Sequence, residues 1–263
     1  MTSLYVDEPL VSKAQASAVC EYLDWDSRFF GFKIGRVAGA RLDPQRVRSI
    51  VRWSQEQSVN CLYFLADVDG TTVHLAEQQG FQLVDIRVTL EARLVDSYSE
   101  NWRDNSIRAA TPEDIPTLRE IAGSSYADSR FYQDHHFPRR LCEELYRVWI
   151  EKSCQGYANA VLVVEHNARP AGYISCHLKS DSSGQIGLVG VDRNARKLGL
   201  GRMLLRRAMS WFLKHDARTV TVVTQGSNVS AQRLYQKSGF LTKGVQLWYH
   251  FWPSERREAS GAC

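Results

Sequence analysis

The chain has 263 residues, 44% hydrophobic and 24% charged, with a formal net charge of +4 at neutral pH. This length exceeds the roughly 150 residues of one typical domain and leaves room for two cores. The modest charge argues against a nucleic-acid partner, no apolar run approaches the ~18 residues of a membrane span, and Met-Thr-Ser-Leu-Tyr-Val-Asp has no export pattern, so a cytoplasmic protein is expected.

Two blocks emerge in chain order. The first, residues 1–97, alternates β-rich runs at 32–38, 61–66 and 83–90 with helical patterns at 44–57 and 73–79. Its opening, Leu23-Asp-Trp-Asp-Ser-Arg-Phe-Phe-Gly-Phe32, is dense in aromatic residues. The polar stretch 98–105 reads as a linker. The second block, 106–252, begins with a strand entering Thr111-Pro-Glu-Asp, where a capping residue, a proline and acids predict a helix start. A helix is predicted over 139–153, with Leu141, Leu145, Val148 and Trp149 inward. Strands follow at 160–165 and 170–177, joined by a turn at His166-Asn-Ala-Arg, and the polar tail 253–263 frays.

The segment from 185 onward carries the chemistry. An apolar run at 185–191 is followed by Arg196-Lys197-Leu198-Gly199-Leu200-Gly201-Arg202, which opens an amphipathic helix. Glycines there let an anion approach the main chain, and a helix N-terminus offers unpaired amides and a positive dipole end. The loop has neither the Gly-Lys-Ser/Thr ending of a triphosphate loop nor the G-x-G-x-x-G of a dinucleotide site. Next come a β-rich run at 220–224 and a helix over 228–237. That helix stops at Ser238-Gly239-Phe240, where Gly239 suits a left-handed cap, and a last strand is predicted at 246–251. Asn228 and Tyr235 lie two turns apart on one helix face, with small Ala231 between them.

Arg-x-x-Gly-x-Gly followed by strand, Asn, short helix with Tyr, Gly-Phe and strand resembles the GCN5-related N-acetyltransferases (GNAT). The resemblance implies an α/β acyltransferase fold, a mixed sheet flanked by helices, over 106–252. It makes acetyl-coenzyme A the co-substrate and requires no metal. It places the coenzyme on Val189, Gly190, Val191, on residues 196–202 and on Asn228, with Tyr235 beside the departing sulfur. In the first block, Gln79-Gly80-Phe81 repeats the helix ending but no Arg-x-x-Gly-x-Gly loop occurs, so a partial, cofactor-free relative of the same fold is expected. The six cysteines form no C-x-x-C pair and no cluster with histidine, so zinc and disulfides are not expected.

The aromatic opening at 23–32 and the segment Asp128-Ser-Arg-Phe-Tyr-Gln-Asp-His-His-Phe-Pro138 resemble the GNAT enzymes that acetylate a nucleotide-linked 4-amino-4,6-dideoxy sugar. Trp25, Phe29, Phe30, Phe131 and Tyr132 offer flat surfaces for a base or sugar ring, and Arg28 and Arg130 offer charge for a diphosphate. Phe30, Arg130 and Phe131 are the candidate substrate residues, and Phe29-Phe30 equally suits a staple between the blocks. Glu165, His166, His177 and water compete as the base. Other amines, a protein N-terminus or a lysine remain alternative acceptors, a non-catalytic acetyl-coenzyme A sensor is a second alternative, and a homodimer is allowed.

Overall fold

The computed structural model describes residues 18–95 and 106–254. The expected linker at 98–105 and all but the first two residues of the expected tail lie outside them. The first block runs β1 (Cys20–Tyr22), α1 (Asp24–Phe30), β2 (Ile34–Val37), α2 (Pro44–Glu56), β3 (Cys61–Asp67), α3 (Gly70–Gln78) and β4 (Gln82–Arg93). The second runs β5 (Ile107–Ala109), α4 (Ile115–Gly123), α5 (Arg130–Gln133), α6 (Arg139–Lys152), β6 (Ala160–His166), β7 (Arg169–Leu178) and β8 (Ser183–Val191). It ends with α7 (Leu200–Lys214), β9 (Thr219–Gln225), α8 (Val229–Lys237) and β10 (Leu241–Phe251).

Local chemistry sets these boundaries. The Asp43 side chain accepts from Arg46 N at 2.8 Å, with Pro44 in the first turn, and so starts α2. Asp69 accepts from Thr72 N at 2.9 Å and starts α3 three residues before the predicted 73. Thr111 and Asp114 form a capping box on a 3-10 turn ahead of α4, and Arg108 grips the buried Asp114 with two bonds of 2.6 and 2.9 Å. The aromatic opening contains a short helix that pattern reading did not resolve. Trp25 and Phe29, one turn apart, stack at 4.9 Å, and Gly31 stops the helix. The last strand begins at Leu241 rather than 246. A bulge between Thr242 and Gly244 keeps its polar start paired, and Lys243 meets Glu91 across the ladder.

Among the described residues the ten strands make one sheet in the order β1-β2-β3-β10-β4-β9-β8-β7-β6-β5. Only β2–β3 and β8–β9 are parallel pairs. Strands of the two blocks alternate through the middle, with β10 between β3 and β4 and β4 between β10 and β9. One face carries α1, α4, α5 and α6 over a core that includes Phe30, Tyr63, Phe131, Phe137, Tyr173 and Trp248. The other carries α2 and α3 at one end, and α7 and α8 at the other over Leu204, Met209, Phe212, Val222 and Tyr235.

A polar node fastens the segment after α5 to the last strand. The buried Asp134 carboxylate accepts from His250 Nδ1 at 2.7 Å and Trp252 Nε1 at 3.0 Å on one oxygen. Its other oxygen meets His136 N at 3.0 Å and His136 Nδ1 at 2.7 Å. Burial opposes the carboxylate charge, but these bonds outweigh it and hold Asp134 well below the usual carboxylate range. Burial also lowers His250 to about 4, against the opposing pull of Asp134, so it is neutral at pH 7. Asp134→Ala strands these donors in the core and is expected to cost about 3–5 kcal/mol in denaturant melts. Asp134 is depressed, so its contribution is present above the ordinary aspartate pKa of about 3.9 and is lost below it; the deficit narrows there. The wild-type chain should lose stability between its ordinary histidine pKa of about 6.5 and about 4, because unfolded His250 binds a proton that the folded residue refuses.

Candidate active site

The parallel ladder of β8 with β9 stops at Ile186–Val222, although β8 continues to Val191 and β9 to Gln225. The two strands therefore part at their C-terminal ends. On its other side β8 slips register against β7 between Ile174 and Cys176, and the Leu188 amide bonds Ser175 Oγ at 2.8 Å. Asp192 N turns toward β7 as well, to Ala171 O at 2.8 Å. Main-chain groups alternate sides along a strand, so Val189 and Val191 aim theirs into the gap. Their carbonyls take Tyr126 Oη at 3.0 Å and Arg196 Nε at 3.4 Å, and both amides face the opening. Gly190 turns its main chain toward β7 instead. Its contribution is clearance, since a Cβ there would lie 2.7 Å from the Tyr173 ring.

At the mouth of the gap the chain turns sharply into α7. Gly199 sits at φ +82°, where a side chain is disfavoured, and Lys197 adopts the same left-handed region at +65°. Gly199 O takes the amides of Arg202 and Met203 at 3.0 and 3.1 Å, while α7 has no side-chain cap. The first amides of α7 are thus left for an outside acceptor. Arg196, Lys197, Leu198 and Arg202 are exposed around this turn, Leu200 is buried beneath it, and Gly201 keeps the approach to Leu234 of α8 close. Arg196 through Arg202 is therefore one cationic rim on an uncapped helix start.

Tyr126 reaches the edge of the gap, and Tyr235 acts electrostatically on it. Tyr235 on α8 is 5% exposed, rests against Phe240 and has its acidity weakened by burial alone, well above the usual phenol range. It is a proton donor at every physiological pH. Tyr126, in the loop after α4, was not anticipated. Its ring stacks on Tyr146 at 4.2 Å and its hydroxyl lies 3.1 Å from Tyr173 Oη as well as donating to Val189 O. Burial, then the neighbouring Tyr173, Tyr146 and Tyr235, push it well above the usual phenol range. The pattern gave no signal for Tyr126, because a lone tyrosine in a loop has no period. Asn228 caps α8, its Oδ1 accepting from Ala231 N at 3.0 Å.

The base candidates occupy other places. Glu165 is bound to Arg108 at 2.8 Å, and His166 is exposed at the end of β6. His177 is buried near the β8 bulge, 3.4 Å from Ser175 Oγ, and burial lowers it to about 4. Phe30, Arg130 and Phe131 meet in one cluster. Phe30 stacks on Phe131 at 5.4 Å, and both rings are closed from solvent, because they join the two blocks. The Arg130 guanidinium lies 4.0 Å over Trp248, 4.5 Å over Phe131 and 4.6 Å over Tyr63. Arg28 faces outward instead and pairs with Asp24 one turn away. Among the described residues Asp134, His135 and His136 bring possible metal-ligand atoms together, with Asp134 already engaged as above.

Residues 118–240 match the Acetyltransferase (GNAT) family. The chain is 26% identical over 239 residues to the dTDP-fucosamine acetyltransferase of Escherichia coli O6:H1, covering 89% of this chain and 98% of that one. It is 31% identical over 144 residues to the spore coat polysaccharide biosynthesis protein SpsD of Bacillus subtilis, covering 55% of this chain and 50% of SpsD. The GCN5-related N-acetyltransferase from Sphaerobacter thermophilus superposes with a TM-score of 0.63 at 17% identity, over 89% of this chain and 76% of its own, a likeness of fold. Residues 118–240 thus carry the likeness to the GNAT acetyltransferases, and the relative matched over nearly the whole chain is an acetyltransferase.

Proposed function

We infer that this enzyme moves an acetyl group from acetyl-coenzyme A to the amine of a nucleotide-linked amino sugar, by direct attack with both substrates bound. What supports this chemistry is the parted end of β8 and β9, with Tyr126 bonded to Val189 O at its edge and Tyr235 acting electrostatically on Tyr126. The acceptor class is supported by the likeness to a dTDP-fucosamine acetyltransferase over 89% of this chain and 98% of that one.

The residues divide the work by their chemistry. The Arg196–Arg202 rim and the uncapped start of α7 suit a diphosphate, and the clearance at Gly199 and Gly201 suits its close approach. Val189 and Val191 offer main-chain bonds to an amide-bearing arm, with Asn228 holding α8 in place beside it. Tyr235 donates to sulfur as the thioester opens. A free thiol has pKa near 8.5 and a phenol near 10, so Tyr235 works by hydrogen-bonding the developing thiolate before any proton moves. The first block is the partial relative of the fold. Phe30 and the rings under Arg130 join it to the second block, and these buried side chains act on an acceptor only by holding the two blocks together. Acetyl-coenzyme A and unpaired cysteines both suit a cytoplasmic enzyme.

The purified protein, given acetyl-coenzyme A and a panel of acceptors, tests this reading through thiol release and product mass. The panel holds dTDP- and UDP-linked 4-amino-4,6-dideoxy sugars, free amino sugars and peptide amines. Turnover concentrated on a nucleotide amino sugar is the expected result. Turnover of peptides or free amines alone overturns the acceptor, and saturable binding without thiol release makes the protein a sensor.

A further inference from the structure

We propose that Asp85 is the carboxylate that meets the acceptor amine and takes its proton during acetyl transfer. This rests on the cleft being the acetyl-transfer site; of the other base candidates, Glu165 is held by Arg108 and His166 is exposed at the end of β6.

Strand register puts Asp85 beside the gap. β4 is the other neighbour of β9, pairing Arg87 with Gln225, and Ile86 O accepts from Gly226 N at 2.6 Å where β9 gives way to α8. Asp85 is directly opposite Trp248 on β10, and paired residues share a face, so its side chain stands on the face that carries α4 to α6. That face is where Arg130 covers Trp248 at 4.0 Å.

The loop after α4 links Asp85 to the chemistry. Tyr126 of this loop bonds Val189 O in the gap and feels Tyr235, and two residues later Asp128 acts on Asp85. Two residues of chain span at most about 7 Å, so one loop both bonds the edge of β8 and contributes to the field at Asp85.

The charged groups facing Asp85 come from every packed element. Arg130 comes from α5, Asp128 from the loop and Arg87 from its own strand, the last bonded to Gln246 at 2.7 Å. Asp26 of α1 also senses Arg130, and along β10 stands neutral His250, bound to Asp134. Burial raises Asp85 most, Asp128 adds to it, and the Ile86 amide and Arg130 oppose it, leaving the carboxyl at about 6. It is ionised at neutral pH and a better base than an ordinary carboxylate.

The step balances. The acceptor nitrogen forms its bond to the acetyl carbon, the nitrogen proton passes to Asp85, and the carbon–sulfur bond breaks. The thiolate leaves under the Tyr235 hydrogen bond, with the phenol keeping its proton, and is then protonated by water. Asp85 releases its proton to water, which balances the proton the thiolate takes up. The products are the acetamide and the free thiol.

Asp85→Asn is the informative variant, because its amide oxygen can still accept from Ile86 N as the carboxylate does at 2.7 Å. The rate should be measured across pH for the wild type, Asp85→Asn and Asp85→Glu, using whichever amine the wild type turns over and correcting for that amine's own ionisation. The wild-type profile should rise through about 6. Asp85→Asn should lose that limb and about 100-fold in kcat, keep its acetyl-coenzyme A affinity by calorimetry, and melt no lower than the wild type. Asp85→Glu should restore the limb. Full kcat or an unchanged limb in Asp85→Asn overturns the assignment, as does a rate loss matched by a lower melting temperature without rescue by Glu. A wild type that acetylates only peptides overturns the acceptor reading and leaves Asp85 to be judged on the peptide. A wild type that acetylates nothing overturns both.

Discussion

Tyr235→Phe is expected to lower kcat about 100- to 1,000-fold, the loss typical of removing one buried donor aimed at developing negative charge. Affinity for acetyl-coenzyme A should stay as it is, since the diphosphate end is served by the 196–202 turn and the arm by Val189 and Val191. Phenylalanine keeps the ring that packs against Phe240 at 5.8 Å, so the melting temperature should hold or rise slightly. The hydroxyl is the only group removed, and burial is what weakens its acidity. The effect should be greatest when the leaving thiol is most basic, because the phenol stabilises charge on sulfur. Rapid-mixing measurement of thiol release reads the chemical step directly. A Tyr235→Phe enzyme with wild-type single-turnover rate would take the phenol out of the mechanism.

Much of the catalytic edge was legible because it is built from local signals. The 196–201 glycines, the apolar run before them and the Ser238-Gly239-Phe240 ending each act within one or two turns, and Gly239 does sit left-handed at φ +87°. Four features were not legible, each for a physical reason. Tyr126 meets Val189 across 63 residues, and His250 meets Asp134 across 116, and no local pattern encodes such pairs. Gly190 sits among the predicted coenzyme contacts, yet strand alternation points its main chain toward β7, and a sequence does not print which residues of a strand face which neighbour. The order of strands was also hidden. Periodicity says that β4 and β10 are strands, but partners are chosen by the whole sheet.

That order bears on whether the second block can stand alone. A fragment beginning at 106 is expected to be insoluble or to lack a cooperative melt. β10 finds both of its partners, β3 and β4, in the first block, so in the fragment its 11 residues would have no ladder on either side. β9 would lose β4 and present a bare edge beside the parted end of the cleft. On one face Tyr249 and Phe251 pack with Leu62, Phe64 and Phe81, and on the other Phe131, Phe137 and Trp248 pack with Phe30, Ile34 and Tyr63. Exposing such side chains costs about 1.5–3 kcal/mol each, and five of them would consume the whole 5–15 kcal/mol that typically holds a domain together. The two pieces, ending at 97 and starting at 106, should nevertheless reassemble when co-expressed, because among the described residues the interrupted ladders run from one piece to the other. Near-ultraviolet circular dichroism and a thermal melt on the fragment alone, and on the co-purified pair, decide the matter. A lone fragment with the cooperative transition of the full chain would mean that the shared sheet is not what holds the acetyltransferase core together.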